Sequence, residues 1–207
     1  KRSDREAKEG VVIAQTSADH KVGFVVCISC ETDFVSKNAD FVAFAQTIAD
    51  AAVANNVKSA EELSEVVING SKVADMINDK LAAIGEKIGI AKFERVEAPY
   101  VASYIHGANR MGVLVGLSET QAEVGKDVAM QIAAMNPVAI DPATVSPEVV
   151  EREKGIIVDL IKNDPKMAGK PDEMISKIAD GKLNSFFKES TLLAQAFVKD
   201  GGMSVGD

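Results

Sequence analysis

The sequence has little of several things, and each shortage argues against a class of protein. It contains no Trp and only two Cys and two His among 207 residues. Two cysteines cannot build a disulfide framework for a chain of this length, so we expect a reducing, cytoplasmic location. The longest mainly apolar stretches, Val22–Cys30 and Met111–Leu117, are far shorter than the roughly 20 residues of a membrane-spanning helix. The sequence therefore argues against a disulfide-stapled secreted domain and against a membrane-spanning protein.

Positive charge is also in deficit. Lys and Arg number 23 against 31 Asp and Glu, which leaves a net charge of −8. A chain this acidic repels phosphate backbones and anionic lipid surfaces, so we expect neither nucleic acid nor a membrane among its partners. Aromatic residues make up only 5% of a composition that is 46% hydrophobic, which predicts a core of Ala, Val and Ile.

The usual marks of covalent chemistry are missing from the sequence as well. We find no nucleophile elbow, no glycine-rich phosphate loop and no carboxylate pair that stands out as general acid and base. Cys27 and Cys30 are three residues apart in a predicted strand, so they face opposite sides and cannot share a metal. We therefore predict no metal, no cofactor and no enzyme activity. Two alternatives to this prediction stay open. One is a thiol or histidine enzyme built on Cys27, Cys30 and His106, and the other is an acidic scaffold that binds another protein without catalytic effect on it.

What the sequence does contain is a pattern of short strands and helices. Residues 11–15 and Val22–Cys30 are β-rich runs around a polar turn that contains His20, which predicts a hairpin. A helix should follow, with Asp40 as its N-cap and one apolar face made of Phe41, Phe44, Ala45, Ile48, Ala51 and Ala52. Ser59 with Glu62 predicts a capped short helix, and Ser71 should cap a longer one that Gly85 ends.

The same hairpin and helix recur further along the chain. We predict a second hairpin from residues 93–96 and 100–105, through the turn at 106–110, into residues 111–118. Its second strand matches that of the first hairpin at an offset of 89 residues, whereas the helices match at 84. The first copy therefore carries about five extra residues, and these fall within residues 32–38. The predicted class is α+β, with two related subdomains that each pack a small antiparallel sheet with helices.

The pattern changes again from Ser146 onward. Ser146 as N-cap and Pro147 at the first helical position begin one apolar-striped helix, and a second follows after Gly169, which predicts an antiparallel helical hairpin. The expected division is a linker from a missing N-terminal domain, two core subdomains, the hairpin and a truncated return segment of the second subdomain. The corresponding ranges are 1–10, 11–92, 93–145, 146–189 and 190–207.

The extra segment invites two interpretations. Thr32 or Asp33 could simply cap a helix start while Phe34 tucks inward as a hydrophobic staple. Yet the other repeat completes its core without such a residue, so Phe34 could instead be a wedge for a partner's pocket. The residues alone do not decide between the two.

Three separated stretches carry a resemblance to a known family. Residues 30–38 (CETDFVSKN), residues 104–107 with 110–115, and residues 145–153 (VSPEVVERE) resemble, in order and spacing, blocks of the elongation factor Ts family of bacterial type. The resemblance covers the whole chain and implies the central, dimerisation core of a guanine nucleotide exchange factor for elongation factor Tu. The implied fold is two similar subdomains with a protruding antiparallel helical hairpin.

The resemblance also implies a site. Asp33 and Phe34 would press on the G domain of elongation factor Tu, with Phe34 entering a pocket near the switch region and disturbing the magnesium site. The implied partner-binding residues are Thr32, Asp33, Phe34, Val35, Ile84, Gly85, His106 and Gly107. A monomer and a homodimer are both compatible with the sequence.

Overall fold

The computed structural model describes residues 4–207, so the first three residues of the expected linker lie outside it. The chain divides into two compact units, Lys1–Ala133 and Ala134–Asp207. The strands are β1 (Glu9–Thr16), β2 (Val22–Cys30), β3 (Val67–Ile68), β4 (Ser71–Lys72), β5 (Gly89–Glu97), β6 (Tyr100–His106), β7 (Met111–Leu117), β8 (Ala196–Phe197) and β9 (Asp200–Ser204). The α-helices are α1 (Asp33–Ser36), α2 (Ala39–Ala54), α3 (Ala60–Glu65), α4 (Val73–Ile84), α5 (Ala122–Met135), α6 (Pro147–Lys162) and α7 (Asp172–Ser190). Among the helices so described, none has the length and apolar character needed to span a bilayer.

The first sheet has the order β1-β2-β5, and both pairs are antiparallel. Strand β2 is central and buried at most positions, while α2 covers one face of the sheet with Phe41, Ala45 and Ile48. These helix residues recur at three- and four-residue spacing, which places them on one side of the helix. The predicted first hairpin and the predicted apolar face of α2 are therefore confirmed.

Residues 93–96 were expected to open the second hairpin, and this prediction was wrong. They lie in β5, where Phe93 pairs with Val26 and Arg95 with Phe24 of the first sheet. The reason is that β2 is buried and needs hydrogen-bond partners along both edges, one of which β1 leaves open. Phe93 also packs its ring 6.2 Å from that of Phe24, so this strand belongs to the first core.

Two predicted helix caps were wrong as well. Helix α2 begins after Asn38, whose side-chain oxygen accepts hydrogen bonds from the backbone N–H groups of Asp40 and Phe41; Asp40 is already inside the helix. Helix α4 begins after Lys72, because Ser71 is taken up in the short β3–β4 ladder. In both cases the cap is the last residue with extended backbone before the helix, which is Asn38 for α2 and Lys72 for α4.

Other caps follow the predicted pattern. The Ser59 hydroxyl accepts from the N–H of Glu62 at the start of α3, and the Ser146 hydroxyl accepts from that of Val149 at the start of α6. Gly85 ends α4 with a φ of +83°, a left-handed conformation that glycine adopts at little cost.

The second repeat consists of the antiparallel β6–β7 hairpin and α5. Ala129 and Ala133 of α5 are buried, and they stand 84 positions after Ala45 and Ala49, which are buried in α2. Together with the helical hairpin below, this confirms the α+β class with two related sheet-and-helix layers.

The two hairpins contact each other reciprocally. The N–H of Val12 donates to the carbonyl of Asn109 at 2.8 Å, and the N–H of Val101 donates to that of His20 at 2.6 Å. Val12 and Val101 are 89 positions apart, as are His20 and Asn109. The hydrogen bond that the first repeat donates to the second is therefore matched by one between the equivalent residues in the opposite direction. This reciprocity is the pattern of a two-fold interface.

The second unit contains the helical hairpin. Helices α6 and α7 share a small apolar cluster made of Ile157, Ile161, Ile175 and Ala179. The short connection between them, residues 163–171, makes them antiparallel neighbours. A short parallel bridge between Ala139 and Thr191 and the β8–β9 hairpin complete this unit.

Candidate partner-binding site

Helix α1 is a single turn that follows directly after β2, and its second residue is exposed to an unusual degree. Phe34 has 84% of its surface open to solvent, whereas the neighbouring Val35 packs against the first core. The interpretation of Phe34 as an inward staple is therefore wrong. The staple geometry fails because Val35, one residue later on the turn, occupies the side that faces the core.

The chain just before α1 is tied down by a carboxylate from a distant part of the sequence. One oxygen of Glu86 accepts from the backbone N–H groups of Glu31 and Thr32, both at 3.0 Å, and the other accepts from the Thr32 hydroxyl at 2.7 Å. In return, the Glu31 carboxylate accepts from the N–H of Lys87 at 2.6 Å. Hydrogen bonds to an ionised carboxylate are stronger than neutral ones, so α1 starts from a firmly held base.

Thr32 and Asp33 take roles other than capping through their side chains. Thr32 occupies the N-cap position of α1, but its hydroxyl donates to Glu86. Asp33 is the first helical residue, and its carboxylate accepts from the Lys37 ammonium at 3.0 Å. This hydrogen bond and the lysine charge lower the pKa of the Asp33 carboxyl, so a negative charge stands at the helix start, where the backbone N–H groups favour it.

A groove of about 390 Å³ opens beside Phe34. Its lining is Phe34, Val35, Asn38, Asp40, Phe41, Lys80 and Ile84. The predicted site residues Phe34, Val35 and Ile84 therefore meet at one surface, with Gly85 next in the chain. Ile84 is itself 36% exposed, so the groove offers apolar area that a partner could cover.

His106 and Gly107 do not line this groove; they lie at the turn between β6 and β7. The His106 Nδ1 is 3.0 Å from the Tyr104 hydroxyl, and Gly107 has a φ of +64° in the tight turn. His106 is exposed, and it lines the β-hairpin tip rather than the groove beside Phe34. The eight expected residues thus form one cluster around Phe34 and one hairpin tip.

Sequence reasoning missed five residues of this site, which are Asn38, Asp40, Phe41 and Lys80 in the groove and Glu86 at the base of α1. Asn38 has a local signal, since it is a good N-cap residue directly before the α2 pattern. Lys80 lies on α4 with its ammonium 5.2 Å from the Phe44 ring, and its position on the groove depends on how α4 packs. Glu86 binds a segment 54 residues away in the chain, so no local pattern could indicate it.

The thiols do not have the environment of reactive cysteines. Burial, with the nearby Glu86 charge, raises the pKa of the Cys30 thiol from 9.0 to about 11, and burial also raises that of Cys27. Reactive cysteines have lowered pKa values, so this pair favours structural thiols over the thiol enzyme that the sequence left open. Residues 4–207 contain no cluster of three or more His, Cys, Asp or Glu side chains that could hold a metal ion.

The chain is similar in sequence to a known protein family over nearly its whole length. The family model described as Elongation factor TS matches residues 31–207. The chain is 43% identical to Elongation factor Ts of Christiangramia forsetii over 210 residues, which covers 100% of this chain and 74% of that protein. It is 41% identical to the protein of the same name from Flavobacterium psychrophilum, with 100% and 74% covered, and 42% identical to that from Clostridium perfringens, with 99% and 69% covered. The chain belongs to the elongation factor Ts family of translation elongation factors.

Proposed function

We propose that this chain is a guanine nucleotide exchange factor that binds elongation factor Tu and promotes GDP release by inserting Phe34 near the switch and magnesium region. The observation that carries the proposal is Phe34 itself, 84% exposed on a turn whose base is held by three hydrogen bonds to Glu86. A large aromatic side chain exposed in this way adds nothing to the chain's own core. It gains favourable burial only when a partner covers it.

The energetics of such a wedge are sufficient for exchange. Burial of one aromatic side chain of 150–250 Å², at roughly 25 cal/mol per Å², contributes about 4–6 kcal/mol. Each tenfold increase in the rate of GDP release requires about 1.4 kcal/mol off the barrier. Phe34 can therefore account for several powers of ten, provided that its burial occurs in the nucleotide-free complex rather than in the GDP complex.

Exchange by this route is a matter of linked binding, without covalent chemistry on the chain. A factor that binds nucleotide-free elongation factor Tu more tightly than the GDP-bound form lowers the affinity for GDP by the same ratio. Asp33, Val35, Ile84 and Gly85 surround Phe34 and would contact the same G domain, while His106 and Gly107 at the β6–β7 turn would supply a second contact. Nucleotide exchange by this chain would take place in the cytoplasm, where translation occurs.

The test is the release of a fluorescent GDP analogue from elongation factor Tu in a stopped-flow instrument. We expect the unmodified chain to accelerate release and Phe34→Ala to lose at least tenfold of that acceleration, because the wedge is gone. A matched control is Val67→Ala, which truncates another exposed apolar side chain, 60% open to solvent, on the small β3–β4 hairpin. We expect this control to release GDP like the unmodified chain.

Unfolding by denaturant separates a lost contact from a lost fold. Phe34→Ala should leave the free energy of unfolding within about 0.5 kcal/mol, because the side chain is almost wholly exposed. Normal exchange by Phe34→Ala would contradict the wedge assignment. Binding of the unmodified chain to elongation factor Tu without faster release would favour the acidic scaffold instead.

A further inference from the structure

We infer that Glu86 is the residue that positions Phe34 for exchange, and that it acts only through the segment it holds. The inference rests on the proposed function, because positioning has a consequence only if Phe34 acts on a partner. Glu86 is half-buried and directs both of its carboxylate oxygens at residues 31 and 32, at distances of 2.7 to 3.0 Å.

The route from Glu86 to Phe34 is short. Thr32 donates to Glu86 through both its N–H and its hydroxyl, and its carbonyl accepts from the Cys30 thiol and from the N–H of Ser36. All the polar atoms of this residue are therefore engaged, and the bond to Ser36 closes the single turn of α1. Phe34 stands on that turn, two residues after Thr32.

Helix α1 depends on such external support. It has four residues, and isolated helices of that length do not hold themselves in water. Val35 anchors one side of the turn against the first core, and the Glu86 carboxylate anchors its start. Without the carboxylate we expect the N–H groups of residues 31 and 32 to exchange their hydrogen bonds for water. Helix α1 then keeps Val35 in the core, the bond from the Cys30 thiol to Thr32 and the bond from Lys87 to Glu31, but its start is held less firmly.

Gly85 explains how Glu86 comes to face this segment. The left-handed conformation of Gly85, with a φ of +83°, ends α4 and turns the chain so that residues 86 and 87 run beside residues 31 and 32. The Glu31 carboxylate accepts from the N–H of Lys87, so the two segments bind each other in both directions. The end of α4 thus places Ile84 in the groove beside Phe34 and also holds the base of Phe34.

The fixed orientation of Phe34 matters because a side chain that is already ordered loses less conformational entropy when a partner covers it. We expect Glu86→Ala to reduce the acceleration of GDP release by about tenfold, which is the effect of losing roughly one charge-assisted hydrogen bond. Glu86→Gln keeps an oxygen for the two N–H groups and should recover part of the activity. The matched control is Glu65→Ala, which removes an exposed carboxylate paired with Lys72 at 2.7 Å; it should behave like the unmodified chain.

A double-mutant cycle tests whether Glu86 acts through Phe34. Exchange is measured for Phe34→Ala, Glu86→Ala and the double variant, each confirmed as folded by circular dichroism and denaturant unfolding. If Glu86 only positions Phe34, the double variant matches Phe34→Ala alone within about twofold. If the two losses multiply, Glu86 contributes independently, and the positioning inference is overturned.

The outcomes distinguish this inference from the function on which it rests. Normal exchange by Phe34→Ala overturns the wedge itself. A loss with Phe34→Ala but normal exchange with Glu86→Ala leaves the wedge in place and overturns the role of Glu86.

A readout in the absence of any partner completes the test. Lys37 follows α1 directly and is exposed, so trypsin can cleave after it once the turn opens. We expect Glu86→Ala to be cut there several times faster than the unmodified chain and than Glu65→Ala. Equal cleavage rates in all three proteins would show that the carboxylate does not hold the turn.

Discussion

At the scale of single residues, the junction between β2 and α1 combines a fixed base with a free tip. Thr32 donates both its N–H and its hydroxyl to Glu86, and its carbonyl accepts from the Cys30 thiol at 3.3 Å. Two residues later, Phe34 is almost fully exposed. A side chain held in this way costs the fold little and is ready to be buried by a partner.

Cys30 gives a prediction at the same scale. Burial raises the pKa of its thiol from 9.0 to about 11, so the native state keeps a proton that the unfolded chain has lost between these pH values. The native state binds more protons there, and stability must therefore fall as pH rises from about 9 to about 11. Denaturant unfolding at pH 8 and pH 10.5 should show a decrease for the unmodified chain.

The control for this prediction is Cys30→Ser, which removes the titrating thiol and leaves every Lys and Tyr in place. Its stability should decline less over the same interval. An equal decline in both proteins would mean that the Cys30 thiol ionises as readily in the native state as in the unfolded one.

At the scale of elements, two glycines permit the hairpins to approach each other. A methyl group on Gly23 of β2 would lie 2.8 Å from Leu114 of β7, and one on Gly112 of β7 would lie 3.4 Å from Val25 of β2. Gly23 and Gly112 are 89 positions apart, as are Val25 and Leu114. The close approach therefore follows the same two-fold relation as the hydrogen bonds between the hairpins.

Substitution of these glycines should weaken the first unit. The added methyl groups would also lie 2.6 Å from Val101 in Gly23→Ala and 2.8 Å from Val12 in Gly112→Ala, so side chains must shift. We expect each substitution to lower the free energy of unfolding by about 1–3 kcal/mol, the usual cost of overpacking. Denaturant unfolding measures the effect.

Gly155, in the middle of α6, is the matched control. A methyl group there lies in open space, and replacing a mid-helix glycine by alanine normally adds about 0.5–1 kcal/mol of stability. We expect Gly155→Ala to be neutral or stabilising. Unchanged stability in both Gly23→Ala and Gly112→Ala would contradict close contact between the hairpins.

At the scale of the whole molecule, the net charge of −8 predicts how the chain meets nucleic acid. Like charges repel, and the usual gain from counterions released by Lys and Arg is small for such a chain. In fluorescence anisotropy at physiological salt, we expect a labelled transfer RNA to show no binding at micromolar protein. Saturable binding that weakens steeply with added salt would contradict this, and a basic RNA-binding protein serves as the positive control.

Features encoded by neighbouring residues could be predicted from the sequence. The apolar spacing of α2, the Ser59 and Ser146 caps and the turn at Gly85 each depend on residues within one or two helical turns. The repeat could also be predicted, because it is found by comparing one part of the sequence with another. The pairing of β5 with β2 could not be predicted from the sequence, because a strand of this composition can pair with either sheet until the tertiary packing selects one.

The sequence by itself determined the α+β class, the duplicated hairpin and helix, and the extra segment that carries Phe34, because all three are periodic or local. Only the tertiary structure decided that Phe34 points outward, that Ile84 lies beside it, and that Glu86 holds its base from 54 residues away. The physical reason is range. Hydrophobic period and capping act over a few residues, whereas the orientation of an exposed side chain depends on hydrogen bonds between segments that meet only after the chain has folded.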